Sequence, residues 1–166
     1  SYPKGEKPVW SYNSMLEQQR GRFVETRGQL LYSDNSPAGD VKYYSKSGDA
    51  SHYFRKNGFS CVFYKIEPRK NDNILSVNIN TLTPEELLFD RDIKIAKFRI
   101  DIELLNINPE VEIIPENKCN DHINYYYNHC PYGITNVPVF NKLIYKNIYP
   151  KINLVYYQNP DGRGLK

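Results

Sequence analysis

Ile93-Lys94-Ile95-Ala96-Lys97-Phe98-Arg99-Ile100-Asp101-Ile102 alternates apolar and polar side chains almost without fault. A period of two is the mark of a β-strand with one face on a core and the other toward water. The stretch predicts a strand, and the same signal recurs on both sides of it. Upstream, residues 73–79 set Ile74, Ser76 and Asn78 against Leu75, Val77 and Ile79, and Phe59 to Ile66 is rich in aromatic and β-branched residues. Val41-Lys42-Tyr43-Tyr44 reads as another strand, and Gln29 to Tyr32 as strand or helix. Downstream, Val111–Ile114, Lys142–Tyr145 and Ile152–Tyr157 read as short strands.

Between these runs the pattern predicts a few short helices. Ser14 caps Met15 to Arg20, which Gly21 stops. Ser47-Gly48-Asp49 opens a second helix, with Ala50, Tyr53 and Phe54 at i, i+3, i+4 spacing and Asn57-Gly58 at its end. Thr83-Pro84-Glu85-Glu86 opens a helical turn, and Leu87-Leu88-Phe89 either follows it or forms a strand. The fold class expected from this order is α+β: strand-rich, with a mixed or antiparallel β core and a few short helices.

The 166 residues fit a single domain over 1–166. Residues 1–8 read as a flexible lead-in, 9–115 as the core, and 116–166 as a part rich in Tyr, Asn and Pro. Apolar residues make up 40%, enough for a core without a dense disulfide net. A net charge of +3 allows nucleic acid as a partner but does not require it. No apolar run has the length of a spanning helix, so no membrane span is expected. Asparagine, at 18 residues, reads as the mark of an AT-rich genome.

The chain has Cys61, Cys119 and Cys130. Cys61 reads as a small buried hydrophobe; Cys119 and Cys130 are either a local disulfide or free thiols. With His122 and His129 they have the donor types of a zinc site, but adjacent His129 and Cys130 rarely face one ion, and no metal is expected. There is no phosphate-binding glycine loop and no nucleophile elbow.

One ordered set of segments goes further: Tyr44-Ser45-Lys46-Ser47, then Val62-Phe63-Tyr64-Lys65-Ile66, then Val77-Asn78, then Glu85-Glu86 before an apolar strand. Over roughly residues 9–127 this resembles the mono-ADP-ribosyltransferase toxins, in the flavour of the pierisin and scabin type. The resemblance implies an ADP-ribosyltransferase-like fold and NAD as substrate. It implies catalytic Glu86, with Ser45 bracing it, and Arg20, Arg22, Tyr44, Ser47 and Tyr53 around the cofactor. The Glu would stabilise the charge that develops as nicotinamide leaves. It also implies a protein or nucleic-acid acceptor, an inhibitor or immunity protein as partner, and a secreted or delivered effector domain, with a cytoplasmic place left open. Two positions depart from the family: Pro84 stands where it has Glu or Gln, and Ser11 where it has the first-strand Arg.

A reading from another class stands beside it. Eight of the 15 tyrosines lie in residues 125–157, and their amphipathic rings suit a non-catalytic binding module for protein, glycan or single-stranded nucleic acid. Tyr125 to Tyr127 are its candidate contacts. A third reading is a nuclease toxin domain acting through His52, His122 or His129.

Overall fold

The structure, a computed structural model, describes residues 21–47, 50–68 and 93–157. Eight strands follow one another: β1 (Phe23–Glu25), β2 (Tyr43–Ser47), β3 (Ala50–Arg55), β4 (Gly58–Pro68), β5 (Ile93–Glu103), β6 (Glu112–Tyr125), β7 (Ile134–Tyr149) and β8 (Ile152–Tyr157). They form one antiparallel sheet in the order β5-β4-β3-β2-β1-β7-β6. β8 also pairs with β7, between Lys142 and Tyr149, beyond the point where β1 meets Val139 and Phe140.

The expected α+β, ADP-ribosyltransferase-like class is corrected by this: the described residues are all-β and contain no helix. The clearest reversal is at residues 50–55. The i, i+3, i+4 spacing there predicts a helix, yet Ala50–Arg55 is a strand paired on both sides, with β2 and with β4. A six-residue apolar pattern is too short to decide between the two periods, and two ladders of backbone hydrogen bonds outweigh it. Gly58, read as a helix stop, instead follows the Lys56-Asn57 hairpin turn. It has φ +151°, and a Cβ there would lie 2.0 Å from the Ile102 carbonyl oxygen on β5. Residues 29–32 form neither helix nor strand, only an isolated bridge from Leu31 to Pro37. The expected helices at 15–20 and 83–86 and the strand at 73–79 lie outside the described residues.

Directly opposed residues share a face of a sheet, so the register sorts the side chains. One face carries Tyr43, Phe54, Phe59 and Ile102 in one row and Ser45, His52, Cys61 and Ile100 in the next. The other carries Tyr44, Tyr53, Ser60 and Asp101 in a row. β1 and β2 are buried on both sides. Phe23, Tyr43, Phe54 and Leu143 form a cluster on the first face, and Val24, Tyr44, Tyr125, Val137 and Val139 form one on the second.

The sheet folds over its own first face. Tyr156 of β8 packs its ring on Phe54 and Phe59 at centroid distances of 5.1 and 5.5 Å, although β8 pairs with neither strand. Tyr145 joins this group at 5.6 Å from Tyr156, and its hydroxyl donates to the Arg55 carbonyl at 2.8 Å. The cover stops at β4. On β5 the strand predicted from alternation is present, but the apolar side chains described on it are open to water: Phe98 is 58% and Ile100 53% exposed.

Candidate functional site

The turn that joins β6 to β7 spans residues 126–133 and holds Tyr126, Tyr127, His129, Cys130 and Tyr132. It is tied by backbone hydrogen bonds from Cys130 N to Tyr127 O and from Gly133 N to Cys130 O, both 2.8 Å. The Tyr127 ring lies between two others: 5.7 Å from Tyr125 and 5.4 Å from His129, almost parallel to the imidazole at 16°. Tyr126 leans on Gly133. With φ +71° at Gly133, a Cβ there would lie 2.7 Å from the Tyr126 Cε1, so only glycine admits both the backbone and the ring.

The base of this aromatic tip is anchored in the core. Tyr125 is buried, and its hydroxyl hydrogen-bonds the Tyr44 hydroxyl, which β2 supplies from the other half of the chain. Burial, with the Tyr125 ring beside it, pushes the Tyr44 phenol far above its ordinary pKa, and burial also raises Tyr125. Both phenols are therefore neutral donors and acceptors at any physiological pH. Gln29 completes the base: its Nε2 donates to the Glu25 carbonyl at 2.7 Å, and its Oε1 accepts from the Arg27 amide at 2.6 Å. The Gln29 side chain also acts on the Tyr125 phenol, lowering its pKa against the larger effect of burial.

Between loop and tip lies an open cleft of about 460 Å³, lined by Gln29, Leu31, Tyr126, Tyr127, Asn128 and His129. That is within the size range of small-ligand sites. A second cleft of about 500 Å³ is bordered by charges of both signs, among them Glu25, Lys42, Lys56 and Glu110. Two of them are engaged with neighbours: Glu25 with Arg27 at 2.9 Å, and Lys42 with the Gly39 carbonyl at 2.7 Å.

The described residues among those assigned by the toxin resemblance line neither cleft. Ser45 is 0% exposed, and its Oγ has no hydrogen-bond partner among the described residues. Ser47 is buried on the same face, while Tyr44 and Tyr53 point to the opposite one. The Tyr53 phenol is pushed up to about 12, first by burial and then by Tyr64. Arg22 pairs with Asp121 at 2.7 Å. Glu86 and Arg20 lie outside the described residues.

The other candidates are dispersed as well. His52 lies opposite Ser45 in the register, its Nδ1 buried without a hydrogen-bond partner among the described residues, and burial lowers its pKa. His129 stacks on Tyr127. Cys61, Cys119 and Cys130 are free thiols; Cys119 packs on the second-face cluster, and Cys130 Sγ approaches the Gly28 carbonyl at 3.7 Å. Among the described residues no three His, Cys, Asp or Glu side chains converge to hold a metal ion. Among them, too, no helix is long and apolar enough to cross a membrane. Of the cleft residues, composition pointed to Tyr126 and Tyr127. It passed over Gln29 and Leu31, and over Gly133 against the Tyr126 ring, whose only sequence signal is a glycine close to a tyrosine run.

Fold and site together define a domain whose described residues are all-β and whose conspicuous feature is an aromatic tip on a pinned base. A family model described as a domain of unknown function (DUF7948) matches residues 23–166, from the first residue of β1 to Lys166, and the chain belongs to that family. No curated protein and no solved structure matches the chain.

Proposed function

We propose that this domain is a non-catalytic binding module that engages its partner through the aromatic tip between β6 and β7. The observation that carries this reading is the contrast in exposure along the turn. Tyr126 is 72% and Tyr132 97% exposed, while Tyr125 beneath them is buried and hydrogen-bonded to Tyr44. Of these the Tyr126 ring is seated against the turn at Gly133, which makes it preorganised contact area with less side-chain freedom to lose on binding. The NAD-using reading has the sequence resemblance as its support. The site geometry adds none, since Ser45 is enclosed and Tyr44 is occupied by Tyr125.

The test is a printed array of polysaccharides, single-stranded oligonucleotides and peptides, probed with the wild-type chain and with Tyr126→Ala and Tyr132→Ala. The reading expects one class to be retained by the wild type and lost with Tyr126→Ala. Retention that neither substitution alters refutes it. A parallel incubation with NAD expects no nicotinamide; release that Glu86→Gln abolishes would replace the binding reading with the enzymatic one.

A further inference from the structure

The ligand class can be narrowed from the chemistry of the cleft, and the argument rests on the reading that the aromatic tip is the binding site. Among the described residues, the lining contains no Lys, Arg, Asp or Glu. What it offers is two phenol rings, an imidazole, an Asn side chain, a Leu and the edge of a buried Gln. The guanidinium of Arg27, two residues from Gln29, is held by the Glu25 carboxylate through Nε at 3.2 Å and Nη2 at 2.9 Å.

Each ligand class makes its own demand on such a lining. A nucleic-acid strand brings one phosphate per nucleotide, and its affinity comes largely from Lys and Arg that displace counterions. An acidic polysaccharide makes the same demand through its carboxylates or sulfates. A protein partner needs roughly 800 Å² from each side around an apolar centre, more than the six residues of this open cleft supply. A neutral sugar ring makes a different demand. Its axial C–H groups form a weakly positive apolar face, which suits the negative face of an aromatic ring. Its hydroxyls need donors and acceptors at the rim, because polar groups left unpaired on desolvation are costly. Tyr126 meets the first demand, and its own hydroxyl with Asn128 and His129 meets the second.

The geometry points to an uncharged carbohydrate as the ligand of this cleft, with Tyr126 as the stacking platform and Asn128 and His129 as hydroxyl partners. Gly133 is a positioning residue, because its missing Cβ lets the Tyr126 ring settle against the turn.

Calorimetric titration tests this with defined probes on the full chain: neutral gluco-, manno- and xylo-oligosaccharides, an alginate oligosaccharide, and a poly-dT oligonucleotide, each at low and high salt. The expected result is binding of a neutral oligosaccharide, indifferent to salt and weakened about tenfold or more by Tyr126→Ala. Gly133→Ala weakens it in the same direction, while Tyr132→Ala at the outermost ring changes it less. A thermal unfolding curve for each variant separates lost binding from lost fold. Tyr126 is mostly exposed, so its truncation is the safer of the two site variants. Salt-sensitive binding of alginate or poly-dT that Tyr126→Ala removes overturns the neutral-sugar assignment and leaves the binding module standing. Neutral-sugar binding that survives Tyr126→Ala and Gly133→Ala overturns both. Binding of none of the probes overturns the carbohydrate assignment.

Discussion

The two faces of the β2–β5 sheet are built from the same strands and handle buried polar groups in opposite ways. On the second face, Ser60 is 2% exposed and is the hub of a network. Its Oγ donates to Asp101 Oδ1 at 2.5 Å and accepts from Arg55 Nη1 at 2.6 Å and Arg99 Nη2 at 3.3 Å. Arg99 Nε closes onto Asp101 at 2.9 Å. Hydrogen bonds from Ser60 and then from Arg99 hold the Asp101 carboxyl below its ordinary range. On the first face, Ser45 and His52 are opposed in the register, Ser45 enclosed and His52 half-buried, and neither Ser45 Oγ nor His52 Nδ1 has a partner among the described residues. Around them the same face is apolar, with Phe54, Phe59 and Tyr156 in ring contact. One face thus gains from its polar groups and the other tolerates them. Burial of a hydroxyl tells nothing about its sign until its partners are counted.

Substitutions should separate the faces, and the largest effect belongs to the apolar one. Phe54→Ala empties a site that is 0% exposed and bordered by Phe23, Phe59 and Tyr156. It is expected to cost about 3–5 kcal/mol in a denaturant titration. A loss below about 1 kcal/mol would mean that β8 does not close on this face.

Ser60→Ala comes next. It removes the acceptor of a partly buried guanidinium and a donor to Asp101, for an expected loss of about 1–3 kcal/mol in the same titration. Ser45→Ala should act in the opposite direction. It deletes a buried oxygen that makes no hydrogen bond to any described residue, so stability stays level or rises by about 1 kcal/mol. If both serines cost the same, the contrast between the faces fails.

The smallest effect is a pH dependence. Burial lowers the folded-state pKa of His52 below its ordinary 6.5. As pH falls through 6.5 the unfolded chain takes up this proton before the folded chain does, so stability declines on that limb and levels off below the folded pKa. Across the ladder stands Cys61, whose thiol burial pushes up, so it brings no charge to the row. Carboxylates held low, such as Asp34 and Asp101, act below their ordinary 3.8 and leave the upper limb to His52. His52→Gln should flatten the urea midpoint against pH between neutrality and the carboxylate range. An unchanged slope would show that the imidazole is reached by water after all.

Much of the strand content was legible from local pattern. The β5 alternation, the apolar run of β4 and the short runs that became β2, β6, β7 and β8 all point to strands at the right places. Their ends were not legible: β6 and β7 continue through Pro115 and Pro138, a residue that strand interiors ordinarily exclude. Register shifts interrupt these two long strands, and left-handed residues at Asn117, Asn136 and Asn147 lie among them. Asn35 and Asn106 have positive φ as well. Asn tolerates that conformation better than most side chains, so part of the asparagine content serves the backbone as well as reflecting any genomic bias. At the site, the tyrosine run at 125–127 marked the tip. Gln29 and Leu31 carry no local sign of it, because they reach the cleft only through the fold.

The sequence by itself determined that strands dominate, where most of them lie, and that aromatic rings are concentrated near residue 126. These are properties of periods and composition, which act within a few residues. Only the tertiary structure decided that residues 50–55 are strand rather than helix, because ladders with β2 and β4 supply backbone hydrogen bonds that a six-residue pattern cannot foresee. It alone decided that the apolar side of β5 stays exposed while Ser45 is enclosed, since which face is covered depends on where β8 folds back. And it alone brought Gln29 beside Tyr127 and Tyr44 onto Tyr125, contacts between distant parts of the chain that close only when the sheet does.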